Sequence, residues 1–392
     1  MNSPVASPAE DLSYSFDKLD TLMEEAGLDV LMATSKHNVG YLLGGYRFIF
    51  FSTMDAIGHS RYLPILVYVR GRMDNTAYVG NRMERQENEN QPFWVPHFMP
   101  AAWGSVDSMQ AALEHLENIG ISSGRIGIEP SFMPVDAGRM LSSVFGESNI
   151  LDGTGVLEKL RSIKTPAELA LLKEASQRIT EAMQATISGS AAGDTKYEII
   201  ERLRREETDR GMHFEYCLMT LGSSHNRAVS QQTWAEGEIL SIDSGGNLHG
   251  YIGDICRMGI LGDPDSELED LLAEVESVQQ AAFSTVAAGT LGGDVIAAGQ
   301  AALTQQPHHN CTDFFAHGMG LITHEVPFLM TNHPVTYEGT DAGNPLEAGM
   351  VLSIETTMQH PQRGFIKLED TVAVTAEGYE LFGAEGRGWN RH

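Results

Sequence analysis

The pattern of apolar and polar positions in the first 150 or so residues alternates between two periods. Amphipathic segments with helical spacing lie at 16–26, 106–119 and 135–145. Short apolar runs that favour β-strands lie at 28–34, 64–70, 77–79 and 125–129. Between them, residues 37–55 form an aromatic segment interrupted by glycines. Strands and helices that alternate along the chain are typical of an α/β domain.

The pattern changes at residues 152–166. Pro166 begins a long amphipathic segment, with Thr165 placed to cap a helix and Glu168 placed to complete a capping box. Further helices are predicted near 194–211 and 267–288. Because 392 residues are many for one hydrophobic core, we expect two domains, 1–155 and 156–392.

Two apolar runs in the second part each carry an aspartate. The run that starts at Ile239 leads into Asp243, a glycine-rich turn follows, and the run at 251–260 carries Asp254. This pattern predicts two strands joined by a turn. Carboxylates that such a turn brings together in an apolar setting repel each other and need positive charge between them. A metal ion is the obvious candidate.

Three later residues could complete a metal site. His317 lies in FFAHGMGLITHEVPF, Glu355 follows an apolar strand, and Glu369 lies in an alternating strand. With the two aspartates they make a set of four carboxylates and one imidazole, which suits Mn²⁺, Co²⁺, Fe²⁺ or Zn²⁺. Four anionic ligands exceed what one divalent ion needs. We therefore expect two divalent ions that share bridging carboxylates and deprotonate a water molecule.

Several motifs together resemble those of one known family. They are LRSIKTPAELALLKEA, SIDSGGNLHGYIGDICR, HGMGLITHEVP, LEAGMVLSIE and IKLEDTVAVT. In this combination the chain resembles the pita-bread metallohydrolases, which include aminopeptidase P, prolidase, methionine aminopeptidase and creatinase. The resemblance implies an α+β pita-bread catalytic domain at 156–392 and an α/β, creatinase-type, ribonuclease H-like domain at 1–155. It also implies that the metal ligands are Asp243, Asp254, His317, Glu355 and Glu369.

The resemblance implies further roles around the metal site. His324 would lie beside the substrate and stabilise the tetrahedral centre, while Asp254, Glu355 or a neighbouring carboxylate would orient the attacking hydroxide. His225, in SSHNRAVS, lies near the place of another substrate-facing histidine in this family.

The resemblance also implies a homodimer. In creatinase-like dimers the aromatic segment of one subunit reaches the pocket of the other. Tyr46, Arg47 and Phe50 are therefore candidates for substrate binding, although such a run is more often part of a core.

The chain departs from the peptidases of this family at the positions that recognise substrate. It reads IETT at 354–357 where they usually read IEPG, and it has Lys367 where they usually have arginine. Lys367, a candidate substrate-binding residue, cannot reproduce the bidentate fork of an arginine.

Two enzyme functions follow from these departures. The first is hydrolysis of an amide bond, most simply in an Xaa-Pro dipeptide or a short peptide. The second is hydrolysis or lyase cleavage of a small zwitterionic metabolite, as in creatinase, ectoine hydrolases or dimethylsulfoniopropionate lyases. The lyases carry an additional aspartate where this chain has Gly245. The complete ligand set argues against a third hypothesis, a binding protein without catalysis.

Composition limits the partners and the compartment. A formal net charge of −27 argues against nucleic acids and anionic membranes as partners. Three cysteines, with no CxxC pair, favour free thiols in a reducing cytoplasm. The first 16 residues lack the basic and apolar regions of a signal peptide, and the apolar run at 62–69 is shorter than the roughly 20 residues that span a bilayer. We therefore expect a cytoplasmic protein.

Overall fold

The structure is a computed structural model that describes residues 12–56, 59–331 and 339–392. Residues 1–11, which carry most of the segment considered above for a signal peptide, lie outside this description. Contacts along the chain divide it into two compact units, Met1–Arg161 and Ser162–His392.

The N-terminal unit is built around a mixed sheet. Its described helices are α1 (Phe16–Glu25), α2 (Lys36–Leu42), α3 (Arg85–Asn90), α4 (Ser105–Asn118), α5 (Val135–Phe145) and α6 (Thr154–Leu160). Its described strands are β1 (Val30–Ala33), β2 (Ile65–Val69), β3 (Ala77–Asn81), β4 (His97–Ala102), β5 (Ile126–Ile128) and β6 (Ile150–Asp152). The strand order is β4-β3-β2-β1-β5-β6, and β2 is antiparallel to both of its neighbours. This architecture confirms the predicted α/β class.

Helix α2 was not predicted, because glycines interrupt its sequence. Its first turn is capped by Ser35, whose hydroxyl accepts a hydrogen bond from the backbone N–H of Asn38 at 3.2 Å. Gly40 lies within the helix where a Cβ atom would approach the carbonyl oxygen of Tyr46 to 2.9 Å. The glycine therefore permits close packing here and does not end the helix.

The C-terminal unit combines helices with a large, mainly antiparallel sheet. Its described helices are α7 (Pro166–Ser188), α8 (Lys196–Asp209), α9 (Ser266–Phe283) and α10 (Gly292–Leu303). Its described strands are β7 (His213–Leu221), β8 (Ile239–Leu248), β9 (Tyr251–Ile260), β10 (Thr312–Gly318), β11 (Val351–His360), β12 (Gly364–Val374), β13 (Tyr379–Phe382) and β14 (Asn390–Arg391). The main path runs β10-β11-β12-β9-β8-β7, with β13 beside β12 and β14 beside β9.

Two local predictions for this unit are confirmed. Thr165 and Glu168 form the reciprocal capping box at the start of α7, with Pro166 in its first turn. Strands β8 and β9 pair along their whole length and are joined by His249 and Gly250. Both turn residues have positive φ angles, 51° and 104°, as a tight two-residue hairpin turn requires.

Helices α7 and α8 pack against one face of the sheet. Helix α7 lies directly on β9, where a Cβ atom on Gly253 would come within 2.6 Å of the backbone of Ala175. Ile255, two residues along, is buried in a core cluster with residues of α7 and α8. Because alternate residues of a strand face opposite sides, Asp254 points away from the helices.

Within the described ranges, no helix combines the length and the apolar character needed to cross a bilayer.

Glu207 of α8 is a buried carboxyl group beneath this sheet. It accepts a hydrogen bond from the hydroxyl of Ser244 at 3.2 Å, and its second oxygen has no hydrogen-bond partner in the described part of the chain. Burial raises the pKa of Glu207 to about 8. The folded protein therefore holds a proton that the unfolded chain, with a glutamate pKa of about 4.3, releases at lower pH.

This raised pKa predicts a specific pH dependence of stability. The contribution of Glu207 is complete below about pH 4 and is lost as the pH rises towards 8, because only the unfolded chain gains by ionising. Relative to Glu207→Gln, the wild-type free energy of unfolding should fall by up to about 1.4 kcal/mol per pH unit between pH 5 and 8. Urea unfolding followed by circular dichroism measures this difference. Asp209→Asn, an exposed change at the end of the same helix, should track the wild type. A difference that stays constant with pH would contradict the prediction.

Candidate active site

The register of the antiparallel strands aligns three of the predicted metal ligands in one row. Asp243 of β8 pairs with Cys256 of β9, which pairs with Glu369 of β12, which pairs with Glu355 of β11. Phe315 of β10 extends the row beyond Glu355. Residues far apart in sequence therefore meet because backbone hydrogen bonds fix the neighbours of each strand.

Asp254 lies in the neighbouring row of paired residues. In this row Gly245 leaves space above the sheet because it has no side chain. Tyr216 pairs with Gly245, and Gly245 pairs with Asp254. A Cβ atom on Gly245 would lie 2.4 Å from the ring of Tyr216, so only glycine leaves room for this ring. The ring of Tyr216 occupies the space that a side chain at position 245 would fill, and its hydroxyl donates a hydrogen bond to Asp254.

His317 completes a set of ligand atoms. Its Nε2 lies 3.8 Å from Oε1 of Glu369 and 3.9 Å from Oε1 of Glu355. Ligand atoms of Asp254, His317 and Glu369 all lie within 4.8 Å of one another, and all three residues are buried. Two atoms that each lie about 2.1 Å from one ion are roughly 3–4 Å apart. One imidazole and two carboxylates at this spacing fit a divalent transition-metal ion.

Lys367 lies among the other carboxylates of the cluster. Its Nζ is 2.6 Å from Asp243 Oδ2, 2.5 Å from Glu355 Oε2 and 2.7 Å from Glu369 Oε2. The side chain is buried. Lys367 was predicted to bind substrate, and in the structure its ammonium group binds three predicted metal ligands.

Arg227 is a second cation at the same edge of the cluster. Its guanidinium group donates a hydrogen bond to Oδ2 of Asp243 and lies 5.1 Å from the ring centroid of Phe365. Asp243 therefore contacts two cationic side chains, Lys367 and Arg227.

The electrostatic environment differs among the carboxylates. Burial, together with the charges of Glu369 and Asp243, raises the pKa of Asp254 well above its usual value. Burial also raises the pKa of Glu369, but Lys367 outweighs this effect and holds that pKa below its usual range. For Lys367 itself, burial lowers the pKa, and the attraction of Asp243, Glu355 and Glu369 raises it well above normal. The side of the cluster near Asp254 is therefore where additional positive charge is needed.

A buried ion pair holds the loop that carries His324. Nζ of Lys164 lies 2.9 Å from Oε1 of Glu325, the residue that follows His324. Backbone hydrogen bonds from Glu325 to Gly318 and from Gly318 to Pro327 close the loop. The ring of His324 stacks on that of His317, with ring centroids 3.9 Å apart and an interplanar angle of 17°.

The five predicted ligands line one cavity of about 540 Å³, together with Tyr216, Arg227, His324 and Lys367. His225 is part of its wall, and its Nε2 donates a hydrogen bond to the carbonyl oxygen of His360 at 3.2 Å. The structure thus brings His225, His324 and Lys367 to the same cavity as the five predicted ligands.

The three candidates from the aromatic segment belong to the N-terminal unit. Tyr46 is buried and its hydroxyl donates to Glu87 at 2.7 Å, while Phe50 packs edge-on against Phe48. Arg47 is half-buried. The environment of Tyr46 and Phe50 is that of packed aromatic residues, the interpretation that the sequence also allowed.

Tyr216 and Arg227 are site residues that the sequence analysis missed. Tyr216 could be recognised only from the register of three strands, and Arg227 lies between β7 and β8, where no strand pattern fixes its direction. The position of Lys367 had a usable signal, because it precedes Glu369 by two residues in a strand and must share its face.

Residues 170–376, more than half of the chain, match the model of metallopeptidase family M24. The chain belongs to metallopeptidase family M24. Residues 16–163 match the creatinase/prolidase N-terminal domain. The family resemblance, the two-domain pita-bread architecture and the assignment as a metallohydrolase are thereby confirmed, and family M24 implies divalent metal cofactors.

This M24 metallohydrolase is 24% identical over 371 residues to the uncharacterized peptidase YqhT of Bacillus subtilis, and the match covers 92% of this chain and 95% of that protein. It is 24% identical over 377 residues to the Xaa-Pro dipeptidase of Pyrococcus furiosus, with 92% and 95% covered. The solved structure of the Xaa-Pro dipeptidase from Bacillus anthracis is similar in fold, with a TM-score of 0.79 at 20% identity, and 96% and 99% of the two chains are covered.

The ligand geometry predicts which substitutions release metal from the M24 site. His317→Ala and Asp254→Ala should each weaken metal binding by more than the roughly 10–100-fold that loss of an outer hydrogen-bond partner costs, because each removes a direct ligand. Elemental analysis after dialysis against defined free metal concentrations measures the effect. Asp313→Asn, a carboxylate of the same cavity outside the ligand cluster, is the control and should retain metal. Full retention by His317→Ala would contradict the assignment.

Proposed function

We propose that this metallohydrolase cleaves the amide bond of a short peptide, most simply an Xaa-Pro dipeptide. The observation that carries the proposal is the cavity of about 540 Å³, which holds both the metal-ligand cluster and His324. That volume falls in the range of small-molecule sites, about 300–1,000 Å³. The printed name of the relative from Pyrococcus furiosus, an Xaa-Pro dipeptidase, supports the same substrate class.

The cluster has the groups that such a reaction needs. A divalent ion (Mn²⁺, Co²⁺, Fe²⁺ or Zn²⁺) held by Asp254, His317 and Glu369 would polarise the scissile carbonyl and make a bound water molecule acidic. Tyr216 fixes Asp254 by a hydrogen bond, and the hydroxyl of Ser353 donates to Oε1 of Glu369 at 2.7 Å. Such outer contacts hold carboxylates in the orientation that ligation requires.

The position of His324 supports a role in contact with the substrate. Its ring is stacked on a metal ligand, and its Nδ1 lies 2.9 Å from the hydroxyl of Thr323. An imidazole in this position can donate a hydrogen bond to the oxygen that becomes negative during attack on the carbonyl. His225, on the wall of the same cavity, is the second candidate for substrate contact.

The remaining walls suit a dipeptide with an apolar ring. Leu218, Phe315 and Phe365 provide apolar surface, and the carboxylate of Asp313 can pair with the free amino group of a peptide. Asp313 and Phe315 are two residues apart on β10 and therefore share the face that His317 also occupies.

A second function, action on a small zwitterionic metabolite, is favoured by one observation. An aromatic ring and a carboxylate, those of Phe315 and Asp313, also suit a quaternary or sulfonium cation.

Homodimer formation and a cytoplasmic location stay predictions. The three cysteines, Cys217, Cys256 and Cys311, are unpaired in the structure, which fits a reducing compartment. The proposed contribution of Tyr46, Arg47 and Phe50 to a partner's pocket depends on the dimer.

The proposed activity predicts metal-dependent release of proline. Protein stripped of metal and reloaded separately with Mn²⁺, Co²⁺, Fe²⁺ or Zn²⁺ should hydrolyse some member of a panel of Xaa-Pro dipeptides, with Xaa-Ala dipeptides as the comparison. Chelation should abolish the activity and the same ion should restore it. His324→Ala should lower kcat by about 10²–10³-fold, as loss of an oxyanion donor does elsewhere.

The same assay separates the two proposed functions. Creatine, ectoine derivatives and dimethylsulfoniopropionate are tested under identical metal conditions. If no dipeptide releases proline with any of the four ions, peptide cleavage is wrong. Turnover of one of the zwitterions would then identify the second function.

A further inference from the structure

Lys367 has the geometry of a cation that the site is built to hold. An ammonium group has three N–H donors, and Nζ of Lys367 has three carboxylate oxygens at 2.5–2.7 Å, from Asp243, Glu355 and Glu369. Nζ donates a hydrogen bond to Asp243, and it forms close ion pairs with Glu355 and Glu369. The ammonium therefore lies within ion-pair distance of three carboxylates, and the side chain is buried.

Two carboxylates connect this ammonium to the metal-ligand cluster. Glu355 and Glu369 each direct Oε2 to Nζ of Lys367. The Oε1 atoms of the same residues lie 3.9 Å and 3.8 Å from Nε2 of His317. Each glutamate thus spans two positions, one next to His317 and one filled by the lysine.

We propose that the ammonium group of Lys367 takes the place of a second metal ion, so that this protein binds a single divalent ion at Asp254, His317 and Glu369. This inference rests on the metal site of the proposed function and not on its substrate. It replaces the two-ion arrangement expected from the number of acidic residues.

Exclusion of a second ion follows from space and charge. An ion coordinated by Asp243 Oδ2, Glu355 Oε2 and Glu369 Oε2 would need the room that Nζ fills. It would also lie within a few ångströms of a like charge in a buried setting, where repulsion is strong. The three oxygens can hold either the ammonium or an ion.

The charge balance of the site leads to the same count. Four carboxylates of the cavity form the cluster, namely Asp243, Asp254, Glu355 and Glu369, and the fifth, Asp313, lies outside it. Lys367 and Arg227 supply two positive charges in direct contact with them. With one divalent ion the positive charges therefore equal the negative charges of the four carboxylates. With two ions there would be an excess of two positive charges.

Counting bound ions tests the proposal without any substrate. Metal-free protein is titrated with Mn²⁺ by calorimetry, and bound metal is measured by elemental analysis after gel filtration. We expect one ion per chain and an electron paramagnetic resonance spectrum of isolated Mn²⁺. Two ions per chain, or the spectrum of a coupled Mn²⁺ pair, would overturn the proposal.

Lys367→Met tests whether the lysine is what excludes the second ion. The substitution removes the charge and shortens the side chain by one heavy atom, which vacates the position of Nζ, so the three freed oxygens should bind a second ion and the count should rise to two. Arg227→Met is the matched control, because it removes a cation from Asp243 but leaves the ammonium in place, and its count should stay at one. A folded Lys367→Met protein that binds one ion would refute the assigned role of the lysine.

Asp243→Asn supplies a test that remains if Lys367→Met fails to fold. Under the proposal Asp243 binds Lys367 and Arg227 and no metal, so the variant should still bind one ion. Loss of the ion would show that Asp243 is a ligand and would overturn the proposal. Because no assay here uses a peptide, these outcomes are independent of whether peptides are the substrate.

Discussion

The arrangement of the C-terminal unit depends on the neutralisation of four carboxylates that share one buried face of a sheet. Carboxylates enclosed together destabilise a folded protein unless cations lie among them. Here part of that requirement is met by the chain itself, through the contacts of Lys367 with Asp243, Glu355 and Glu369. The rest falls on the side of Asp254 and His317, where the ligand atoms have the spacing for an ion. The part of the cluster that still needs positive charge is therefore also the part that can bind a catalytic metal ion.

The sheet supplies the precision of this arrangement. Its strands carry alternating positions, one set packed under the helices and the other facing the cavity. Gly253 and Gly245 show the two uses of a missing side chain, since the first lets α7 approach the sheet and the second lets Tyr216 reach Asp254. The helices thus fix the strands from behind, and the strand register fixes which polar groups meet in front.

Much of this could be predicted from the sequence, for physical reasons that differ between residues. The capping box at Thr165 and the hairpin turn at His249 are local, so neighbouring residues determine them. The five residues predicted as ligands could be proposed because their motifs occur in a known order, although the sequence contains no information on distances. Lys367 was assigned to the substrate because the resemblance places a substrate-recognising arginine at that position, and the sequence does not give the reach of a long, flexible side chain.

The fixed ammonium has a consequence for how the protein responds to scarcity of metal in its surroundings. An enzyme whose carboxylates are balanced only by exchangeable ions loses both activity and electrostatic balance when those ions are withdrawn. In this chain the tethered cation stays with Asp243, Glu355 and Glu369 whatever the supply of metal. The metal-free protein therefore keeps these three carboxylates in position, and it can bind metal again without rearranging them.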